Sequence, residues 1–580
     1  MRRHNHWFWI CLILILIFAV LLRSRSFDWG LPSDSFHLTM EEDERIFMHM
    51  VSHMDLPRLD MNPNFHAHAP MVAYLWEIAL TVSEAVGFSS HKIDDFHFAE
   101  DPHDYRNMIL AGRAAMMVVA MIYLLLTALL FRKKLGDGPS LLATAFLAVA
   151  WEPVNHSHQI RHDLPSALLL LLVIRQAHYL MSKGRDRDYL LMGLWLGIGC
   201  SILYVPSLWL GGPLFLTAHL IFLHRSGKLK LRHVFGAPVW KTAAVTVGTF
   251  ILLVPWVIID FRNFMEVFVA IYLVPIVETD LWRVTRYTQG VGGALYVFTD
   301  MLPHAFGYGL TVLGVTALGY GWIKKRSDWL LFLIVITLQL VSISILTQKF
   351  TRHLIFIMGP FALIAARFLL VEMREKMRVR WNQRTADILV GAIAAVVLLI
   401  SMAQTIIVSH YQDEQGIAER TSEYFREHIP GASIIAVVDH PAINMIPPLD
   451  SRHWPDNTPR YPVIDEIGYD IDSLRNSPAM YLADPRFFLR GLHNKYLNSD
   501  EFPKQRAFFE YLEHSGEWQR VVTFENNLEP FAWLFPWERL PLDMHRVNLI
   551  VDIYKRTGPA PLTMEEYKAK KEAEEAENDD

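Results

Sequence analysis

The chain has 580 residues, 52% of them hydrophobic, a positive mean hydropathy and a formal net charge of −6. That is too apolar for a soluble protein of this length, and the apolar residues gather into runs such as "FWICLILILIFAVLL", "AAMMVVAMIYLLLTALLF" and "WLLFLIVITLQLVSISIL". Runs of roughly 17–25 apolar residues are what a bilayer core requires, so the fold class is a polytopic α-helical membrane protein. The two cysteines, Cys11 and Cys200, both lie inside apolar runs, which excludes a disulfide framework, and no internal repeat or nucleic-acid motif is present.

In chain order, the first run has a basic flank (Arg2, Arg3) and is followed by "RSRSFDWG", with no small-residue cleavage site. It reads as a retained signal anchor. Spans are expected at 7–22, 107–130, 139–153, 164–181, 189–204, 206–223, 241–259, 307–323, 329–347, 353–370 and 387–409, about eleven crossings. The fifth and sixth are short and could form one broken hairpin. Lys and Arg accumulate in short cytoplasmic loops. With this threading "MRRHNH", "FRKK", "SKGRDRD", "HRSGKLKLR", "IKKRSD" and "EMREKMRVRWNQR" all fall on one side.

Parity then places three larger pieces on the other, outer side: a first loop (23–106), a second (260–306), and everything after about residue 410. The expected organisation is a transmembrane domain over 1–409, an extracytoplasmic domain over 410–557 and a charged tail over 558–580. In the second domain "ASIIAVVDH", "RYPVID", "PAMYLAD", "QRVVTFEN" and "VNLIVDIYKR" read as strands. They alternate with the helical patterns "GIAERTSEYFREHI" and "KQRAFFEYLEHSGEW", so a small α/β domain is expected. The tail, a charge run without apolar periodicity, reads as solvated or disordered.

Two acidic features stand at the outer face. The first is "EEDE" (Glu41, Glu42, Asp43, Glu44), shortly after the first span. A carboxylate in the hydrocarbon costs about 2.5–3.5 kcal/mol even on the gentler insertion scale, so this cluster sits at or above the surface. The second is Asp163 in "EPVNHSHQIRHDLPSALLLLL", in a short loop between two spans. Each has an ordinary explanation: a solvated loop for the first, a helix N-cap followed by proline for the second. Two outer loops that both present carboxylate at the membrane face also suggest one shared site. Such groups could act as general base or hold a divalent cation, with Asp43 and Asp163 as ligands. "HSHQIRHD" and "HAHAP" add His156, His158, His162, His66 and His68. His-X-His beside carboxylates can ligate transition metals, but loop histidines are common and no Cys supports a zinc site.

These residues carry a resemblance. "FDWGLP", "EEDERIF" and "MNPNFHAHAPMVAYL", then "LAGRAAM", "SHQIRHDLPSALLL" and "KFTRHLIFIMGPFALIAA", in that order, resemble the integral-membrane C-type glycosyltransferases. The nearest group is the protein O-mannosyltransferase and aminoarabinose-transferase-like one, which uses polyprenyl-phosphate sugars. That group typically shows an Asp-Glu pair followed by an Asn-Pro-aromatic stretch, matched here by Asp43-Glu44 and Asn62-Pro63. Glu41-Glu42 stand where His-Pro is usual, His68 stands where an aromatic is common, and "CSILYVP" lacks a lysine that many relatives carry.

The resemblance implies an inverting transfer of sugar from a polyprenyl-phosphate donor to an acceptor at the outer face of the membrane; the lack of a lumenal disulfide framework and of a eukaryotic retrieval signal points to a bacterial inner membrane. The resemblance also implies Asp43, Glu44 and Asp163 as catalytic carboxylates, with Asp43 as the base. Arg352 is the first candidate for the donor phosphate, since a guanidinium holds phosphate bidentately, and Arg113 the second. Arg113 could equally be an interfacial anchor. Glu42, Asn62, His68 and His162 are secondary candidates. Besides the bilayer and the donor, the expected partner is an acceptor that is a protein, a lipid or a glycan. The alternative from another class is a transporter or flippase, which would place ionisable residues at mid-membrane and show paired repeats.

Overall fold

The structure is a computed structural model that describes residues 2–33, 39, 42–66, 68–90, 102–269, 290–346, 349–413, 416–438, 461–464, 467–485, 503–526 and 550–578. Every segment expected to span is helical: Arg2–Arg23, Pro102–Leu130, Asp137–Val149, Asp163–Lys183, Asp186–Ile202, Tyr204–Arg225, Ala237–Leu253, Tyr308–Ile323, Leu330–Ile345, Ile355–Arg367 and Gln383–Asp413. Among the described residues, seven helical stretches are long and apolar enough to cross a membrane, and Asp137–Val149, Tyr308–Ile323 and Leu330–Ile345 are shorter apolar helices. A single extended residue, Leu203, separates Asp186–Ile202 from Tyr204–Arg225, so these two form a sharply broken hairpin.

Packing follows from the pattern of each run. Ile355–Arg367 is apolar all round, and twelve of its residues, Ile355 to Ala366, are buried, which makes it a central helix. Small residues let other helices come closer: a Cβ on Gly193 or Gly197 would lie 2.6 Å from the Thr242 or Thr246 carbonyl oxygen. Small-residue contacts of this kind replace the hydrophobic drive that lipid cannot supply.

The two ends of the bundle differ. At one end the basic segments meet: Arg326 pairs with Glu372 at 3.0 Å, Arg374 with Asp387 at 2.6 Å, and Arg367 Nη1 donates to the Leu135 carbonyl at 2.9 Å. At the other end, Arg23 Nη1 and Nη2 donate to the Ala148 and Leu147 carbonyls at 3.0 and 3.3 Å, capping the Asp137–Val149 helix. Thr405 Oγ1 donates to the Val149 carbonyl, and Ser26 Oγ to the Ser409 carbonyl, both at 2.7 Å. The loops that follow Arg23 and Val149, and the chain beyond residue 413, therefore leave from this second end.

Beyond it the chain forms a five-stranded mixed sheet. Its strands are β1 (Ile435–Val437), β2 (Val463–Ile464), β3 (Tyr481–Pro485), β4 (Trp518–Phe524) and β5 (Val551–Arg556), in the order β2-β1-β3-β5-β4. β1 runs parallel to β2 and β3, and β5 antiparallel to β3 and β4. All five expected strands are present, and the two helical patterns form Ile417–His428 and Pro503–His514. Alternate residues feed two cores: Ile435, Ala483 and Ile553 pack with Phe425, while Ala436, Leu482 and Tyr554 pack with Phe508 and Leu512. The terminal charge run differs from expectation. It forms the helix Met564–Asn578, begun by a reciprocal Thr563–Glu566 cap, and its Met564 and Tyr567 pack against the sheet core.

Candidate active site

The acidic run opens the helix Glu42–Ser52, so its carboxylates occupy a first turn where the helix dipole favours negative charge. Phe47, Met50 and Val51, one and two turns further along the same face, anchor the helix by packing with Trp76 and Ile109. The acids then diverge. Glu41 and the side chain of Glu42 lie outside the described residues.

Glu44 is fully buried and fully engaged. Its Oε1 accepts from Arg113 Nε at 2.8 Å, and its Oε2 from Arg113 Nη2 at 2.9 Å and from Thr39 Oγ1 at 2.6 Å. The Ile160 amide also donates to Oε1 at 3.4 Å. Arg113 spends its remaining terminal nitrogen on the Phe27 and Trp29 carbonyls, at 3.0 and 2.8 Å. Arg113 is therefore neither a snorkelling anchor nor exposed to a donor: its Nε and both terminal nitrogens are engaged inside the protein. One ion pair ties the first loop to the Pro102–Leu130 helix and to the loop before Asp163.

Asp43, one residue earlier, faces the other way. Its carboxylate is 16% exposed, against 0% for Glu44. The Asp43 Oδ2 atom meets the Arg161 guanidinium directly, and Arg352 Nη1 lies 3.8 Å away. Burial pushes the Asp43 carboxyl up, but Arg161 and Arg352 outweigh it and hold the group well below the usual carboxylate range. Arg352 sits in the short 3₁₀ turn Thr351–Leu354, its guanidinium stacked 4.4 Å over the Phe350 ring. Gln339 Nε2 holds that turn through the His353 carbonyl at 2.6 Å. Lys349, two residues before the turn, is committed elsewhere: its Nζ donates to the Ile343 and Ser344 carbonyls at 2.7 and 3.2 Å.

Asp163 opens the Asp163–Lys183 helix and is buried. Arg161 Nε lies 3.5 Å from its Oδ2, and His156 Nδ1 lies 3.7 Å from the same atom. His156 Nε2 is in turn 3.6 Å from the buried Glu152. Arg161 thus spans the carboxylates of both loops. His162 and His68 stack at 5.5 Å with Phe47 beside both. Burial pushes both imidazoles down, His68 to about 4, so they are neutral near pH 7.

Other expected residues lie apart. Asn62 shapes its own turn, accepting the Asn64 amide at 3.1 Å. His66 is buried and pairs with Asp260 at 3.0 Å, and His158 Nε2 bonds to the Arg23 carbonyl at 2.6 Å. Among the described residues, no group of three or more His, Cys, Asp or Glu side chains forms a metal site. The donor set around Asp43 does not suit a cation either, since two guanidinium groups already face the same oxygen. Arg161 and Glu152 are the members of the cluster that sequence reasoning did not assign to it, and in the sequence His156 is weighed only as a metal ligand. A signal for Arg161 was available: it is a positive charge in a short loop on the side whose short loops carry few.

Further into the bundle lies a small, partly open cavity lined by Ser166, Leu170, Trp195, Leu210 and Phe356, among others. Ser166 is three residues after Asp163 and Phe356 four after Arg352, so the cavity begins one turn into the bundle from both.

No protein-family model matches the chain, and no curated protein matches it. Its course is similar to that of GT-C glycosyltransferases. ArnT from Cupriavidus metallidurans, in the crystal structure bound to undecaprenyl phosphate, is 12% identical with a TM-score of 0.46, over 84% of this chain and 95% of that one. Its apo structure is 11% identical with the same TM-score, over 84% and 94%. The oligosaccharyltransferase of Archaeoglobus fulgidus, in complex with zinc and sulfate, is 12% identical with a TM-score of 0.43, over 94% and 88%. A likeness at this level concerns the course of the chain and says nothing of the reaction.

Proposed function

We propose that the protein is an inverting glycosyltransferase that uses a polyprenyl-phosphate sugar, with its site on the outer face of a bacterial inner membrane. The observation that carries this reading is the meeting of Asp43 with Arg161 and Arg352, brought together from three separate segments. A lipid-linked phosphate needs cationic N–H donors for its head, which the two guanidiniums supply beside the carboxylate. The basic loops gathered at the opposite end of the bundle support the orientation.

In the reaction so read, the Asp43 carboxylate takes the proton of an acceptor hydroxyl or amine. The acceptor atom bonds to the anomeric carbon as the carbon–oxygen bond to phosphate breaks, and the electron pair leaves on the phosphate oxygen. Attack opposite the leaving group inverts the anomeric centre. Arg352 and Arg161 hold the phosphate and stabilise the charge that gathers on it. Asp163 is a positioning residue that orients Arg161. No step is assigned to a metal. In this reading the sheet domain, which leaves from the same end, receives the acceptor, whether protein, lipid or glycan.

The test is turnover by purified protein in detergent with a panel of polyprenyl-phosphate sugars, read as release of polyprenyl phosphate. Detergent abolishes any sealed compartment, so turnover there supports a transferase. Failure with every such donor, together with uptake or flipping in sealed vesicles, would establish the transporter alternative instead.

A further inference from the structure

Arg161 lies between the two carboxylates that the loops bring together: it meets Asp43 Oδ2 and stands 3.5 Å from Asp163 Oδ2. Arg352 faces the same Asp43 oxygen from a third segment. A carboxylate paired with two guanidiniums is a poor proton acceptor, because taking up a proton removes charge that both partners stabilise. The resting arrangement is thus well built to hold Asp43 and badly built to let it act.

We propose that the donor's phosphate frees the base: its anion draws the Arg161 and Arg352 guanidiniums off Asp43, so that the carboxylate becomes competent only when a donor is in place. This rests on the glycosyltransferase reading and adds to it an order, donor before proton transfer. The chemistry favours the exchange. A phosphate offers several acceptor oxygens in a geometry that matches the guanidinium fork, whereas a carboxylate has only two to share between both arginines. Asp163 remains beside Arg161 and keeps it from swinging away. The other titratable groups facing Asp43 are His68 from the first loop and His162 beside Asp163. Burial lowers both imidazoles, and Arg161 and Arg352 lower them further.

Loss of two positive neighbours and arrival of a negative one both make Asp43 more basic. The acid limb of kcat/KM reports the free enzyme and that of kcat the donor complex. With saturating acceptor in detergent, the kcat limb is expected about one pH unit or more above the kcat/KM limb. Arg161→Gln should raise the kcat/KM limb and close that gap, and Arg161→Lys should retain part of it. Coincident limbs in the wild type, or an unchanged gap in Arg161→Gln, would overturn the proposal. An infrared titration of the Asp43 carboxyl, as wild type minus Asp43→Asn, reads the same link without turnover and without an Arg161 variant. Adding polyprenyl phosphate should move its midpoint upward, and an unmoved or lowered midpoint counts against the exchange. If no polyprenyl-phosphate sugar is turned over but the midpoint still rises, the exchange stands and the glycosyltransferase reading falls.

Discussion

The Arg113 guanidinium grips the Glu44 carboxylate through two parallel bonds of 2.8 and 2.9 Å, both partners out of contact with solvent. This pair sets the site without taking part in it. Glu44 also accepts the Ile160 amide, so fixing Glu44 fixes Asp43 on one side and Arg161 on the other. Leaving one member of a buried pair uncompensated typically costs about 3–5 kcal/mol. Arg113→Met should therefore lower the melting temperature and the yield of folded protein far more than Arg352→Ala does. Thermal unfolding of both variants in detergent checks this. Equal loss from Arg352→Ala would mean that the two arginines share a structural role.

Arg352 is half open to the site and bears on the donor. A charge-assisted bond to phosphate contributes about 1.5–3 kcal/mol, so Arg352→Ala should raise the donor KM by about 10- to 100-fold. Arg352→Lys should recover only part, because a point charge lacks the planar fork. Kinetics at fixed acceptor decide the matter, and a KM change confined to the acceptor would place Arg352 at the wrong substrate.

Gly112 reaches the site through packing alone. A Cβ there would stand 2.4 Å from Ile160 Cδ1 and 2.7 Å from Trp76 Nε1. Trp76 is pinned by its bond to the Met108 carbonyl at 3.0 Å, so the Ile160 side chain must shift and press on its loop. Gly112→Ala should cost about 1–3 kcal/mol of stability. It should also reduce kcat, since Arg161 is the next residue along. Unchanged kcat and melting temperature would show that this contact does not hold the loop.

Acid should weaken the fold through the histidines of the first loop. Burial takes His68 down to about 4, whereas in an unfolded chain it titrates near 6.5. The unfolded state therefore binds the extra proton first. Stability from this group is complete above about pH 6.5 and is lost as pH falls toward 4. His68→Phe keeps a ring beside His162 and removes the titration. Its melting temperature should fall less steeply over that window, by close to one proton, about 1.4 kcal/mol per pH unit. A slope identical to wild type would show that His68 is not the group responsible.

Much of the architecture was legible in the sequence because lipid imposes a simple rule: every span must satisfy its own backbone, and long apolar runs do so as helices. The strands of the C-terminal sheet were legible for a similar reason, through β-branched runs broken by Pro and Gly. The terminal helix was not, because its contribution to the core rests on Met564 and Tyr567 alone within a charged run. In the site, the carboxylates announced themselves as charge at a membrane face. What each does could not be read there, since Asp43 and Glu44 are neighbours of like charge. Only the three-dimensional course of Arg113 and Arg161 separates the two. Glu152 stayed hidden because an acid at helical spacing from a loop histidine looks like any loop residue until His156 and Asp163 are placed beside it.

The central claim is that Asp43 is the base of a glycosyl transfer. Its most direct test is the turnover of Asp43→Asn in detergent, with a polyprenyl-phosphate sugar that the wild type uses, alongside Glu44→Gln. Removing a general base typically costs about 10²–10⁴-fold, so Asp43→Asn should fold normally, bind polyprenyl phosphate and lose kcat by that factor. Glu44→Gln should instead lose stability. A folded Asp43→Asn enzyme that turns over at the wild-type rate would contradict the account.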